Sequence, residues 1–133
     1  MTVHRSRWTA KAPFARDERG STAVEFTLIL IPLVMLTLGT INLGLMMYTA
    51  STLHFAVEDA ARCASVKTDC STAGATQTYA AAQYLGPTDA PTFTASVDAS
   101  CGNKVVGTVT YKFTTGLTTM DVPMSATACY PLK

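Results

Sequence analysis

The sequence predicts an α+β protein. A long N-terminal helix crosses a membrane in its first half, serves as a stem in its second, and packs on a small antiparallel sheet of about three strands with one short extra helix. Three observations predict this. Residues 26–48 form an apolar run without a formal charge. Beyond the run, apolar residues recur at helical spacing to about residue 66, and after Pro91 the period changes to two. The chain has 133 residues, room for one domain and not for two. Charged residues make up 14%, well below the roughly 25% of a soluble domain, against 48% hydrophobic residues. With a net charge of +1, nothing suggests a nucleic-acid surface. The composition also argues against a free cytosolic enzyme and an acidic disordered tail.

The first element is a basic leader. Residues 1–20 hold five basic residues (Arg5, Arg7, Lys11, Arg16, Arg19) against two acidic ones, Asp17 and Glu18, while the remainder holds five basic and seven acidic. Lys and Arg beside a span resist translocation, so the N-terminus is expected in the cytoplasm and the C-terminal part outside it. The apolar run follows. A helix of its length covers about 34 Å, enough for a hydrocarbon core of about 30 Å. A buried core helix is a poor alternative, because so short a chain cannot surround it. A secretory signal peptide has a shorter apolar part, of roughly 7–15 residues, although Thr49-Ala50-Ser51 offers a weak small-residue cleavage site. Pro32 removes one helical hydrogen bond and is expected to kink or loosen the helix. Gly39 and Gly44 stand five apart, which is not the GxxxG spacing. Thr37, Thr40 and Asn42 can bond across helices or to the preceding turn.

The stem continues the helix to about residue 66, some 67 Å from Thr22 at the helical rise. Leu53, Val57, Ala60 and Ala64 fall on one stripe, and Glu58 and Asp59 are placed to meet Arg62. Ser71 or Thr72 can cap a second helix, 73–85, with Ala75, Tyr79, Ala82 and Leu85 inward. Gly86-Pro87 is the stop signal. Three strands follow, at 92–98, 104–114 and 121–130. Phe93, Ala95 and Val97 face inward on the first; Val105, Val109, Tyr111 and Phe113 on the second; Val122, Met124, Ala126, Ala128 and Tyr130 on the third. Gly102-Asn103 and residues 114–119 supply the turns, and Pro123 places the last strand at an edge.

Cys63, Cys70, Cys101 and Cys129 all follow the apolar run. An even count in a small exported domain suggests disulfides, with three possible connectivities. Cys63–Cys70 closes a short loop at the end of the stem. In a meander, Cys129 returns beside Cys101, which favours Cys101–Cys129 as the second pair. A metal site has little support: there is no C-x-x-C, and His4 and His54 lie away from the last two cysteines. No cofactor is expected. The exported half carries no Gly-rich phosphate loop, no Ser-His-Asp set and no carboxylate pair beyond Glu58-Asp59, so the chain is not expected to be an enzyme.

The junction between leader and run reads Arg16-Asp17-Glu18-Arg19-Gly20-Ser21-Thr22-Ala23-Val24-Glu25-Phe26. A lone carboxylate at the mouth of a membrane segment is costly, by about 2.5–3.5 kcal/mol for Asp at mid-membrane and less near an interface. Gly, four small or apolar residues, then Glu-Phe and a long apolar helix resemble the prepilin-peptidase site of type IV pilin-like proteins. RGSTAVEFTLILIPLVMLTLGTINLGLMMY more specifically resembles the TadE-like pseudopilins of the Tad (Flp) pilus system, whose pattern pairs Glu-Phe with a leucine-rich run containing an early Pro. The resemblance covers about residues 16–66. It implies a pilin-like fold, cleavage between Gly20 and Ser21, and recognition of Gly20, Ser21, Glu25 and Phe26 by a prepilin peptidase. It further implies an assembly contact in which Glu25 meets the new ammonium group of Ser21 on a neighbouring subunit.

On that reading residues 1–20 are a cleaved leader, 21–66 the membrane and stem helix, and 67–133 a disulfide-bonded periplasmic head. The implied partners are the prepilin peptidase, other pilin or pseudopilin subunits, the Tad assembly machinery and membrane lipid, with no nucleic acid. The implied place is the bacterial inner membrane or an extracellular pilus. The implied role is that of a minor pseudopilin that builds into or primes the fibre, since major subunits of the system are typically shorter. The Thr-, Ser- and Ala-rich exported surface suits protein contact or weak adhesion. A permanently anchored single-span periplasmic binding module is the main alternative, and a secreted domain released by signal peptidase a third.

Overall fold

The computed structural model describes residues 18–88, 90–114 and 118–132. The elements are α1 (Glu18–Val66), a 3₁₀ turn (Thr68–Cys70), α2 (Ala73–Gln83), β1 (Thr92–Asp98), β2 (Gly102–Thr114) and β3 (Thr119–Tyr130). The fold is α+β: a long apolar helix, a short second helix and a three-stranded antiparallel sheet. The chain divides into two compact units between Val34 and Met35.

The first unit is helical throughout its described part. α1 begins at Glu18, inside the expected leader, and most of that leader, residues 1–17, lies outside the described residues. The helix runs on through Pro32. Three polar side chains in and beside the apolar run are satisfied within the helix. Thr27 Oγ1 donates to the Ala23 carbonyl at 2.8 Å, Thr40 Oγ1 to Thr37 at 2.9 Å and Asn42 Nδ2 to Leu38 at 3.0 Å. Self-satisfaction of this kind is what a lipid environment requires of a polar group without a partner chain.

The second unit contains the core. The sheet has the order β1-β2-β3, and both pairings are antiparallel. Leu53, Ala56, Val57, Ala60 and Ala61 of α1 pack with Ala80 of α2 and with Phe93, Val105, Val109 and Ala126 of the sheet. The expected stripe is present but wider: Ala56 and Ala61 join it, and Thr49 extends it toward the N-terminus. These small residues let the helix lie close to the sheet. Closest approach is at Gly107, where a Cβ would stand 2.8 Å from Phe93, 2.9 Å from Val57 and 3.0 Å from Leu53. On β2, Val105, Val109 and Tyr111 are buried as the alternation requires.

Several details differ from the sequence expectation. α2 turns Thr76 and Ala80 inward, with Tyr79 and Tyr84 packed beside the core, while Ala82 and Leu85 are exposed. The reason is polar. Thr76 Oγ1 lies 3.1 Å from both the Cys70 and the Thr72 carbonyl, which fixes the helix by its hydroxyl face. Thr72 is the cap, accepting from Ala75 N at 3.2 Å. α2 ends at Gln83, two residues early, with Tyr84 extended and its hydroxyl bonded to Thr88 at 2.5 Å. Val97 is exposed, and it borders a surface cavity of about 150 Å³. Tyr130 is exposed as well, at the end of β3. Asp59 does not pair with Arg62; its carboxylate accepts from Tyr79 Oη at 2.7 Å, and Lys67 Nζ stands 5.2 Å from the centre of the same ring. Among the described residues, the ion pair is Lys104–Asp98 at 3.7 Å.

The first hairpin turn is residues 99–101, not Gly102-Asn103, since Asn103 is already paired with Val97. Asp98 Oδ1 draws the bend forward by accepting from Ser100 N at 2.9 Å and Ser100 Oγ at 2.6 Å. Gly102 closes the turn at φ +89°, where a Cβ would collide with the Tyr130 carbonyl. These Ser100 bonds, with a smaller contribution from Lys104, hold the Asp98 carboxyl below its ordinary range. A lowered folded-state pKa contributes stability that is present above the unfolded value and is lost as pH falls through the folded one. In urea titrations the wild type should therefore lose a small part of its midpoint between pH 5 and pH 2 that Asp98→Asn has already lost at neutral pH. Equal pH slopes in the two proteins would remove Asp98 from that account.

Candidate processing and assembly site

The residues singled out at the junction sit at the start of α1. Gly20 and Ser21 are helical in the structure, inside the first turn. Ser21 and Glu25 stand four apart in the sequence of this helix. Glu25 is exposed, and it makes no hydrogen bond or ion pair with another described side chain. Phe26 is exposed too, and so is every described residue of α1 from Thr22 to Leu38. Apolar side chains point outward on all sides: Val24, Leu28, Ile29, Ile31, Leu33 and Leu36 are each more than half exposed. An all-round apolar helix needs an apolar environment, and here none of the most hydropathic window is buried within the chain. The 45 helical residues from Thr22 to Val66 are long and apolar enough to cross a membrane.

Both disulfides join the expected partners, the short loop at the end of the stem and the two ends that the meander brings together. Cys63 pairs with Cys70, Cα to Cα 5.7 Å, and Cys101 with Cys129 at 5.6 Å. The first ties the end of α1 to the 3₁₀ turn; the second ties the β1–β2 turn to the end of β3. Beside them sits a polar hub that the sequence does not announce. Ser65, buried near the end of α1, donates to the Pro131 carbonyl at 2.9 Å and accepts from Asn103 Nδ2 at 3.0 Å. Tyr111 Oη donates to the Asn42 carbonyl at 3.2 Å. All three contacts join residues at least 38 apart in sequence, so no local pattern could have revealed them.

Nothing in the head gathers a reactive set among the described residues. No three His, Cys, Asp or Glu side chains come together in a metal-ligating arrangement. A cavity of about 150 Å³ is lined by Thr72, Thr76, Asn103 and Lys104 among others, and two larger, open concavities of about 450 and 560 Å³ lie beside Glu58, Asp59 and Arg62 and beside Thr108, Lys112 and Met124.

Fold and junction together define a class: a chain with one helix fit to cross a membrane, headed by a lone carboxylate and continued into a disulfide-bonded α+β head. Residues 20–62 match the family model for TadE-like proteins, so this stretch of the chain is similar to that family. Comparison with curated proteins and with solved structures gave no match. The matched segment runs from Gly20 through the apolar run into the buried stripe of the stem. The long apolar helix within it fits a single-span membrane protein.

Proposed function

We propose that the chain is a minor pseudopilin that takes part in assembling a Tad/Flp pilus, and that a prepilin peptidase cuts it between Gly20 and Ser21. The observation that carries this reading is Glu25, the one Asp, Glu, Lys or Arg between Ser21 and Val57, standing exposed at the head of an uncovered apolar helix inside the TadE-like segment. Alone in a bilayer, that carboxylate is a liability. Packed among apolar helices it needs a cation, and cleavage supplies one: the new α-ammonium of Ser21 on a neighbouring subunit. A buried pair of this kind adds little net stability, but it penalises every register in which the two charges do not meet. Cleavage requires the first turn of α1 to open, which the frayed end of a helix does more readily than its middle. A small residue at position 20 lets the extended backbone enter the cleft of a membrane peptidase. The reading places the N-terminus in the cytoplasm, the span in the bacterial inner membrane and the head in the periplasm or on an extracellular fibre. It assigns the head to contact with other subunits rather than to catalysis.

N-terminal sequencing of the mature chain tests the reading, with a start at Ser21 expected. A chain that keeps Met1 in cells that process related precursors returns the protein to a permanently anchored binding module, and a start near Ser51 makes it a secreted domain. Glu25→Ala should leave insertion and protein level unchanged while abolishing co-purification with other pilus subunits. Unchanged co-purification would make Glu25 incidental.

A further inference from the structure

We infer that the Cys101–Cys129 bridge is a redox-accessible clasp: a dithiol reductant opens it in the folded head while Cys63–Cys70 stays closed, and its opening releases the end of β3 from the stem. Thiol–disulfide exchange proceeds by attack of a thiolate on one sulfur of the bridge, so access to that sulfur decides whether the folded protein reacts. The two bridges differ in this respect. Cys63 and Cys70 are only 2% and 3% exposed. Ala60 and Ala61 beside Cys63 are buried as well, and Cys70 is pinned by Thr76, whose hydroxyl donates to its carbonyl at 3.1 Å. No nucleophile reaches either sulfur until the end of the stem opens. Cys129, by contrast, is exposed, and Cys101 is half-buried. The pleat explains the difference. Ala126 and Ala128 turn to the core, so Cys129, the next residue along the strand, faces away from α1. β3 is also the last strand of the sheet, so no further strand flanks Cys129.

The exchange is balanced by the reductant alone. One thiolate of the dithiol attacks Cys129 Sγ. The Sγ–Sγ bond breaks, and its electron pair leaves on Cys101 Sγ, which takes up a proton. The second thiol of the reductant then attacks the mixed disulfide and releases Cys129 as a thiol, so that the dithiol ends as a disulfide. What the clasp holds is the end of the meander. Cys101 lies in the β1–β2 turn, and Cys129 stands one residue before the end of β3. Beyond it the chain has one further strand pair, Tyr130 with Asn103, and the hydrogen bond from Ser65 Oγ to the Pro131 carbonyl at 2.9 Å. Asn103 Nδ2 donates to the same Ser65 hydroxyl at 3.0 Å, so the end of β3, the start of β2 and the end of α1 share one small polar hub. Tyr130 is exposed and adds little packing there. With the bridge open, hydrogen bonds alone hold this end, and ends held in that way open at low cost. The rest of the sheet keeps its anchors, because Val105, Val109 and Ala126 remain in the core with Leu53 and Val57. Release is therefore local: residues 127–132 fray while the sheet persists.

The test uses the full chain in detergent at neutral pH. Dithiothreitol is added in steps, free thiols are trapped with iodoacetamide, and each labelled cysteine is assigned by peptide mass spectrometry. Cys101 and Cys129 should be labelled at least about tenfold faster than Cys63 and Cys70, whose bridge waits for a local opening. Where only the long bridge is open, amide hydrogen exchange at residues 127–130 should rise at least about tenfold over the oxidised protein, with residues 105–109 unchanged. Equal labelling rates, labelling of Cys63 and Cys70 first, or no labelling before the head unfolds would each overturn the clasp. Unchanged exchange at 127–130 with the bridge open would overturn the release of β3. Exchange that rises through the whole sheet would mean global unfolding, which overturns it as well.

Discussion

Gly107→Val should cost the head about 3 kcal/mol, the upper end of what forcing methyl groups into a packed core costs. The position is the narrowest point of the molecule. A Cβ there stands within 3.0 Å of Phe93, Val57 and Leu53 together, and these three belong to three directions of the core: the neighbouring strand and two turns of α1. Leu53 and Val57 are fully buried, so neither side chain can swing out to solvent. The helix would have to lift, and lifting it stretches the Tyr111–Asn42 and Ser65–Asn103 bonds on either side. For a domain of this size about 3 kcal/mol lowers the melting temperature by roughly 12–24 °C. Circular dichroism of the full chain in detergent measures it. Gly107→Ala should show a smaller drop in the same direction. A melting temperature unchanged by Gly107→Val would mean that α1 does not approach the sheet this closely.

How much of this was legible in advance depends on how local each signal is. The stem stripe through Leu53, Val57 and Ala60 and the alternation Val105, Val109, Tyr111 are periodic within a few residues, so the sequence shows which face is buried before any partner is known. The long meander likewise brings Cys101 and Cys129 together by counting alone. Gly107 reads as an ordinary strand glycine, because its meaning lies in the two side chains of α1 that press on it. Asp59 reads as half of a helical ion pair, because Tyr79, its actual partner, is 20 residues away. α2 is rotated from its expected inner face: small apolar residues such as Ala82 mark that face weakly, and the hydroxyl of Thr76, bonded to two carbonyls, outweighs them. The junction at Gly20–Phe26 is legible in a different way. Its residues form a pattern that resembles a family, and a family model matches from Gly20 onward. The partner proposed for Glu25 belongs to another subunit, so the fold of a single chain has no means of displaying the pair.

Replacing Cys101 and Cys129 together by serine should destabilise the head more than replacing Cys63 and Cys70. The Cys101–Cys129 bridge closes a loop of sequence separation 28, against 7 for Cys63–Cys70. If loop-closure entropy governs, the two are worth about 3.6 and about 2.4 kcal/mol. The structure widens the gap. Cys129 lies one residue before the end of β3, where Tyr130 pairs with Asn103 and the next carbonyl, that of Pro131, accepts from Ser65. Freeing this end lets the edge strand fray, and fraying releases Ser65, which is buried and would then lose its long-range acceptor. Cys63 and Cys70, by contrast, are held near each other without the bridge: Lys67 N bonds to the Cys63 carbonyl at 2.9 Å, and the Cys70 carbonyl receives Thr76 Oγ1. The double-serine variants, melted side by side in detergent, should fall by roughly 14–29 °C for the long bridge and 10–19 °C for the short one. The reverse order would mean that the end of α1, rather than the closing of the sheet, limits the stability of the head.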